Sequence, residues 1–342
     1  MELPKLANIQ LVKENMWTGI LGILILISIG VMLFYFLYKK NLASIQCSSL
    51  DKKYETLNGK IRSITSKDPK CQYTLKDYFI KSAYNCCSLG KYKNDYVGLC
   101  ILRNIIKQGT RCFDMEVFTI DNEPVVATST TDSYYIKETY NSIPLADVLD
   151  TIYNSAFASG TSPNPEDPLI LHIRFKTQQD DTFTKTANLL SQYSNRLLGN
   201  SYSFAYNGKN LGDAKLLDLK GKIILAVDKS NKAFIDNKKF FEYVNILSNA
   251  EYMRELRVYD VIYSPDMNEL VNYNKYNMTI VLPDRGTNPA NPDFEKIQES
   301  GSQMVAMKYQ TIDNNLDKIN YMFDDIGYAF VLKPEELRRI SK

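Results

Sequence analysis

Apolar and polar positions follow two different rhythms in this chain. From Trp17 to Tyr38 there is no alternation at all, because the run is apolar and carries no charged residue. A helix of about 20 residues crosses a bilayer's hydrocarbon core. No polar face is present for a soluble helix to turn to water. The segment 17–38 is therefore predicted to be a single transmembrane helix, with Trp17, Tyr35 and Tyr38 near its interfaces. The run is longer than the about 7–15-residue apolar region of a signal peptide, and Asn41 to Ser49 offers a poor cleavage site. Residues 1–16 are read as an N-terminal tail and 39–72 as a polar stalk or linker. From residue 73 onward, strand-like and helix-like runs alternate. Strands are predicted at Asp77–Asn85, Cys112–Thr119 (extended by Pro124–Ala127), Pro168–Phe175, Lys222–Asp228, Leu256–Tyr263, Met278–Pro283, Gln303–Tyr309 and Gly327–Leu332. Helices are predicted at Asp95–Gln108, ending at Gly109, at Pro144–Phe157 and at Thr182–Leu198. Such alternation implies a parallel sheet. About eight units suit a closed (β/α)8 barrel, the TIM-barrel form of the α/β class. A doubly wound open sheet is the alternative, but neither GxGxxG nor GxxxxGK[ST] occurs.

Composition narrows the picture. The 342 residues carry a net charge of +2, which is no footprint for nucleic acid. Lys39, Lys40, Lys52, Lys53 and Lys60 follow the apolar helix, against Lys5 and Lys13 before it. The positive-inside rule then puts the large domain on the cytoplasmic or interior side. The six cysteines (Cys47, Cys71, Cys86, Cys87, Cys100, Cys112) make no zinc pattern. They read as reduced thiols in a cytosolic setting, or with a disulfide involving Cys47 and Cys71 in an oxidising one. Asn277-Met278-Thr279 is a glycosylation sequon.

Several words in the second rhythm are distinctive. Phe79 to Gly90, Arg111 to Thr130, Pro168 to Phe175 and Leu219 to Leu225 fall in order through the first half. Gln303 to Thr311 and Gly327 to Arg339 close the second. In order and spacing they resemble the catalytic barrel of eukaryotic phosphoinositide-specific phospholipase C, with an X-like half at 73–230 and a Y-like half at 250–340 of a domain spanning 73–342. The resemblance implies a TIM barrel of the phospholipase-C-like phosphodiesterase type, with its site at the strand C-termini. It also implies two histidines for acid/base and phosphate work, and a calcium ion held by Asn, Glu, Asp and Glu.

The chain departs from that pattern at nearly every functional place. Where the family has S-x-H-N, this chain has Ser82-Ala83-Tyr84-Asn85, so Tyr84 takes the first histidine's place and Asn85 is kept. Thr130 takes the second. The calcium pair E-L-D reads Asp114-Met115-Glu116, and the last calcium carboxylate is Arg174. Ala226 and Asp228 replace the headgroup lysines. Ile280 and Leu282 replace the headgroup arginine and tyrosine. A tyrosine of pKa about 10 is a poor acid/base group at neutral pH.

Residues two apart on a strand share a face. Ile170, His172 and Arg174 are therefore predicted to point inward, and Arg174 is expected where calcium would sit, paired with Asp114 or Glu116. His172, the only histidine, is expected to be a satisfied core residue. Cys86 and Cys87 are the remaining nucleophile candidates.

The resulting expectation is a pseudoenzyme. It has no cofactor, its calcium site is lost, and it acts as a structural or interaction component of a membrane, with the lipid bilayer and membrane proteins as partners. A composition rich in Asn, Lys, Ile and Tyr suits an AT-rich genome, and the tethered architecture suits the virion membrane of a large DNA virus. A phosphoinositide or headgroup-binding module without hydrolysis is the alternative, and a phosphoric diester hydrolase with an altered site the third.

Overall fold

The computed structural model describes residues 3–133 and 135–339, with side chains from Met16 onward. The chain divides into two compact units, Met1–Ile45 and Gln46–Lys342. The first is helical, part of α1 (Leu3–Lys53), so the expected tail is helix from Leu3. This helix is long and apolar enough to cross a membrane, and its apolar side chains from Met16 to Tyr38 are exposed.

The second unit is built around a nearly closed parallel barrel. Its first half runs β1 (Tyr78–Ala83), α2 (Leu99–Lys107), β2 (Cys112–Ile120), β3 (Glu123–Ala127), β4 (Ile143–Pro144), α3 (Leu145–Ala156), β5 (Leu169–Phe175) and α4 (Asp180–Ser191). A single turn, α5 (Ser203–Asn207), precedes β6 (Ile223–Asp228), α6 (Lys238–Phe241) and β7 (Ile246–Ser248). The second half holds β8 (Met253–Arg257), α7 (Val258–Ile262), α8 (Met267–Tyr276), β9 (Met278–Leu282), α9 (Phe294–Ile297), β10 (Met304–Met307), α10 (Asn314–Ile326) and β11 (Phe330–Leu332). The ring order is β7-β6-β5-β2-β1-β10-β9-β8. Every neighbouring pair in it is parallel. Among the described residues no ladder joins β7 to β8, so the barrel has one open seam.

Several sequence expectations need correction. Leu256–Tyr263 was expected as one strand, but the ladder to β9 stops at Arg257. There the Asp260 carboxylate accepts from the Arg257 amide at 2.8 Å and starts α7, a capping role that overrides the β-branched run. The short strand β7 was missed, and β11 lies outside the ring, antiparallel to β1. Pro124–Ala127 does not extend β2 but returns beside it, because Asp121 and Asn122 at φ 50 and 62 make the hairpin turn.

The barrel interior is apolar below the mouth, with Ile80, Ile170, Ile224, Ile280 and Met304 in one buried cluster. Outward residues meet helices, as Phe175 does against Phe183 of α4 and Phe240 of α6, both at 5.1 Å between ring centroids. From Gln46 onward, the segment expected as a polar stalk is part of this unit. Helix α1 ends at Lys53, with Leu50 buried and the Asn104 amide donating to Asp51 at 2.8 Å. Tyr54, Ile61 and Ile64 are buried beyond it. Cys47 is disulfide-bonded to Cys100, not to Cys71, which is a buried thiol. The pairing joins the foot of α1 to α2. The sequon runs from the end of α8 into β9: Asn277 caps the helix, Met278 and Thr279 are buried, and the Thr279 hydroxyl donates to Asn274. Ile340, Ser341 and Lys342 lie outside the described residues.

Candidate functional site

The site is assembled by register. Strands β2 and β5 pair so that Asp114 lies beside His172 and Glu116 beside Arg174. All four point into the barrel mouth by the two-residue period, and all are buried. Asn85 follows β1 in the left-handed region at φ 41, which asparagine tolerates better than other non-glycine residues. That turn lets its amide donate to Asp114 Oδ2 at 3.1 Å.

Arg174 sits at the centre of these groups. Its Nε donates to Asp114 Oδ1 and its Nη2 to Asp114 Oδ2, both at 2.8 Å, a bidentate fork. Its Nη1 donates to Glu116 Oε1 at 2.8 Å, and Nη2 also reaches Asn85 Oδ1 at 3.0 Å. The expected ion pair is thus formed with both acids. Glu116 Oε2 accepts from the Ser129 amide and hydroxyl at 2.6 and 3.0 Å. Every carboxylate oxygen of Asp114 and Glu116 therefore has a donor within the chain. Burial alone would raise the Asp114 carboxyl, but Arg174 and His172 outweigh it and hold it well below the usual range. Burial opposes the Arg174 charge too, and Asp114, Tyr84 and Glu116 hold it protonated.

His172 is fully buried, with both nitrogens engaged. Nδ1 lies 2.8 Å from Asp114 Oδ1, and Nε2 lies 2.8 Å from Ser248 Oγ and 3.4 Å from Glu255 Oε2. It thereby links β5 to both sides of the open seam. Burial disfavours its charge, but the bond to Asp114 and the Asp114 and Glu255 charges raise its pKa. Burial pushes Glu255 up to about 7.

The other positions singled out in the sequence are filled or occupied. Tyr84 is buried, edge-on to Tyr92 at 5.3 Å, with the Arg174 guanidinium 5.0 Å from its ring centroid. Burial raises its hydroxyl pKa above the ordinary tyrosine value. The Thr130 amide and hydroxyl both donate to Glu138 Oε2, at 2.7 and 2.6 Å. Ala226, Ile280 and Leu282 are buried apolar core, and Asp228 accepts from the Ser230 amide and from Asn249. Cys86 and Cys87 are buried thiols. Among the described residues, no group of three or more His, Cys, Asp or Glu side chains is placed to hold a metal ion.

Sequence reasoning missed the layer above. Lys176, the residue after β5, lies 3.6 Å from Glu116; extending the strand's two-residue period past Arg174 finds it. Asp132, Arg257 and Arg285 come together from three loops or strand ends, and nothing local in the sequence marks them. Arg257 Nη2 contacts Asp132 Oδ1, Arg285 Nε donates to Asp132 Oδ2 at 2.7 Å, and Arg257 Nη1 donates to the Pro283 carbonyl at 2.8 Å.

The chain matches two family patterns described as phosphatidylinositol-specific phospholipase C, X domain, over residues 71–229, and Y domain, over residues 229–336. The chain belongs to the phosphatidylinositol-specific phospholipase C family. Within that phospholipase C family, it is similar to the mouse (Mus musculus) 1-phosphatidylinositol 4,5-bisphosphate phosphodiesterase beta-2. The identity is 29% over 117 residues, covering 32% of this chain and 10% of the mouse protein. Its fold is similar to PLC21 of L. pealei, with a TM-score of 0.65 and 18% identity over 80% of this chain and 38% of the other. PLC21 of S. officinalis is similar at a TM-score of 0.64 and 17% identity, again over 80% and 38%. This phospholipase C barrel thus spans well under half the length of these relatives.

Proposed function

We propose that this chain is a catalytically silent phospholipase C barrel, held in a membrane by α1 and serving as a structural or interaction component there. The observation that carries the reading is the Arg174 guanidinium among Asn85, Asp114 and Glu116. Calcium takes six to eight oxygen ligands. Here both carboxylates already accept from Arg174, at 2.8 Å each, so the residues present do not fit that ion. The two places that the resemblance assigns to histidines hold Tyr84 and Thr130. Losing each such group costs about 10²–10⁴ in rate.

The test is hydrolysis of a phosphatidylinositol diester by the full chain, with and without calcium, beside calorimetry with calcium alone. No turnover above background and no heat of binding are expected. Calcium-dependent turnover that Asp114→Ala abolishes would sink the reading. Headgroup binding without hydrolysis is disfavoured by the buried apolar side chains at Ala226, Ile280 and Leu282. An altered hydrolase is disfavoured because His172, the one histidine, is fully enclosed.

The lysines after the span favour the cytoplasmic or interior face of the membrane for the barrel. The Cys47–Cys100 disulfide is the one observation favouring an oxidising face. Protease protection of the barrel in sealed native membranes decides between them. A virion membrane is the setting that composition and architecture fit best.

A further inference from the structure

Helix α1 does not stop where its apolar run stops. Its last turns, from Gln46 to Lys53, belong to the barrel unit. There Cys47 and Asp51, one turn apart, meet Cys100 and Asn104, one turn apart on α2. The first pair is joined by the disulfide, and the second by the Asn104 amide donating to Asp51 at 2.8 Å. The polar part of this contact is incompletely satisfied. Gln46 Oε1 and Asn104 Oδ1 are buried with no donor among the described residues. A buried acceptor without a donor has lost its hydration for nothing, so both oxygens favour separation into water. The disulfide opposes that separation. Cys100 is buried, but Cys47 is only half-buried, so the bond is open to attack from the Cys47 side.

The same contact reaches the barrel mouth through one carboxylate. Asp95 Oδ1 accepts from the Gln46 side chain at 2.8 Å and from the Tyr96 amide at 2.9 Å, and Oδ2 accepts from the Lys91 amide at 2.8 Å. Asp95 thereby closes the loop 88–98 that follows β1. Gln46 and Asp95 come so near Gly90 that a Cβ there would have no room. Tyr92 lies in that loop. Its amide donates to the Thr287 carbonyl and its carbonyl accepts from the Thr128 hydroxyl, both at 2.9 Å. Its ring stands edge-on to Tyr84, over which the Arg174 guanidinium lies. One hydrogen bond, from Gln46 to Asp95, therefore separates the end of α1 from the packing around Arg174.

We propose that the Cys47–Cys100 bond is a redox-operated latch. Closed, it holds Gln46 on Asp95 and the 88–98 loop in place. Open, it lets the last turns of α1 leave α2, and that loop loosens. The lysines after the span favour the cytoplasmic or interior face, and a disulfide facing a reducing compartment is as a rule transient or redox-sensing. The bond opens by exchange with a dithiol reductant. A thiolate of the reductant attacks Cys47 Sγ, and Cys100 leaves as a thiolate and takes up a proton. The reductant's second thiol then displaces Cys47, which is protonated in turn, and closes the reductant's own disulfide. Two electrons and two protons pass to the chain.

The test is amide hydrogen exchange of the full chain in phosphatidylcholine nanodiscs, before and after dithiothreitol. Reduction is expected to speed exchange in Gln46–Asn58 and in the 88–98 loop by at least about tenfold more than in β5 and β6, since local opening spares the rest of a fold. The double substitution Cys47→Ser with Cys100→Ser should show the fast pattern without reductant and no further response to it, which separates this bond from the free thiols Cys71, Cys86, Cys87 and Cys112. Gln46→Ala should speed exchange in the 88–98 loop while the disulfide stays closed, read by mass. Unchanged exchange on reduction, a change confined to Gln46–Asn58, or an equal rise through β5 and β6 overturns the proposal. The last of these outcomes would make the bond a general stabiliser of the barrel. The wild-type comparison stands by itself if the serine variant does not fold.

Discussion

Replacing Arg174 by methionine keeps much of the side-chain volume and removes the charge. It strips four hydrogen bonds from the site: two to Asp114 and one to Glu116 at 2.8 Å, and one to Asn85 at 3.0 Å. Removing one partner of a buried ion pair costs about 3–5 kcal/mol, because the other charge is left unpaired in a poorly polarisable interior. Here two carboxylates lose the same partner, while His172 and Lys176 remain beside them, so the middle of that range is expected at pH 7. For a domain of this size about 2–4 °C of Tm accompanies each kcal/mol.

The loss must depend on pH. In the wild type the Asp114 pKa is depressed, so its contribution is present above the unfolded value and fades as pH falls through the folded one. Without Arg174, burial becomes the larger influence and raises that carboxyl. The cost therefore shrinks as pH drops toward 4, where protonation relieves the buried charge. Thermal unfolding of the full chain in detergent at pH 7.5 and 4.5 measures both. A loss under about 1 kcal/mol at pH 7.5, or the same loss at both pH values, refutes the electrostatic account.

Other expectations follow from neighbouring groups. The raised pKa values of Glu255 and His172 act in one direction. Glu255 makes the fold less stable as pH rises from about 4.5 to its folded value near 7, and the His172 contribution, full below about 6.5, is lost as pH climbs through its folded pKa. Glu255→Gln should flatten the slope of Tm between pH 5 and 8 by a few degrees, on the order of 2 kcal/mol; an unchanged slope counts against the assignment. Reducing the Cys47–Cys100 bond, or replacing both residues by serine, opens a loop whose ends are 53 residues apart and should cost about 4 kcal/mol on the chain-entropy account. A gel shift on reduction is the direct check on the pairing. Phe183→Ala empties part of the aromatic cluster around Phe175 and Phe240 and should lower stability by about 3–5 kcal/mol, read by denaturant unfolding.

The strands that form the long ladders were legible because each is both long and bounded. Leu169–Phe175 reads as a buried run after Pro168, and its two-residue period places His172 and Arg174 inside without further information. The same period points onward to Lys176. Strand β7 was not legible, since three residues carry no period. The Val258–Ile262 turn defeated the reading because its β-branched residues look like strand, while one carboxylate, that of Asp260, decides the matter by capping. The mouth's outer layer was invisible for a different reason. Arg257 and Asp132 are 125 residues apart and meet only because the barrel closes. The disulfide was misplaced likewise, as spacing alone cannot choose Cys100 over Cys71 as the partner of Cys47.

The guanidinium at the centre of the mouth also changes how this fold is coupled to its surroundings. A barrel that keeps a cluster of carboxylates for a dissociable cation is stabilised by mass action, in proportion to how much of that cation the compartment supplies. Arg174 is a counter-ion that cannot dissociate. On the proposed reading, the stability of the barrel would be decoupled from the divalent-ion content of whatever space it faces, and the same folded surface would persist through changes of ionic milieu.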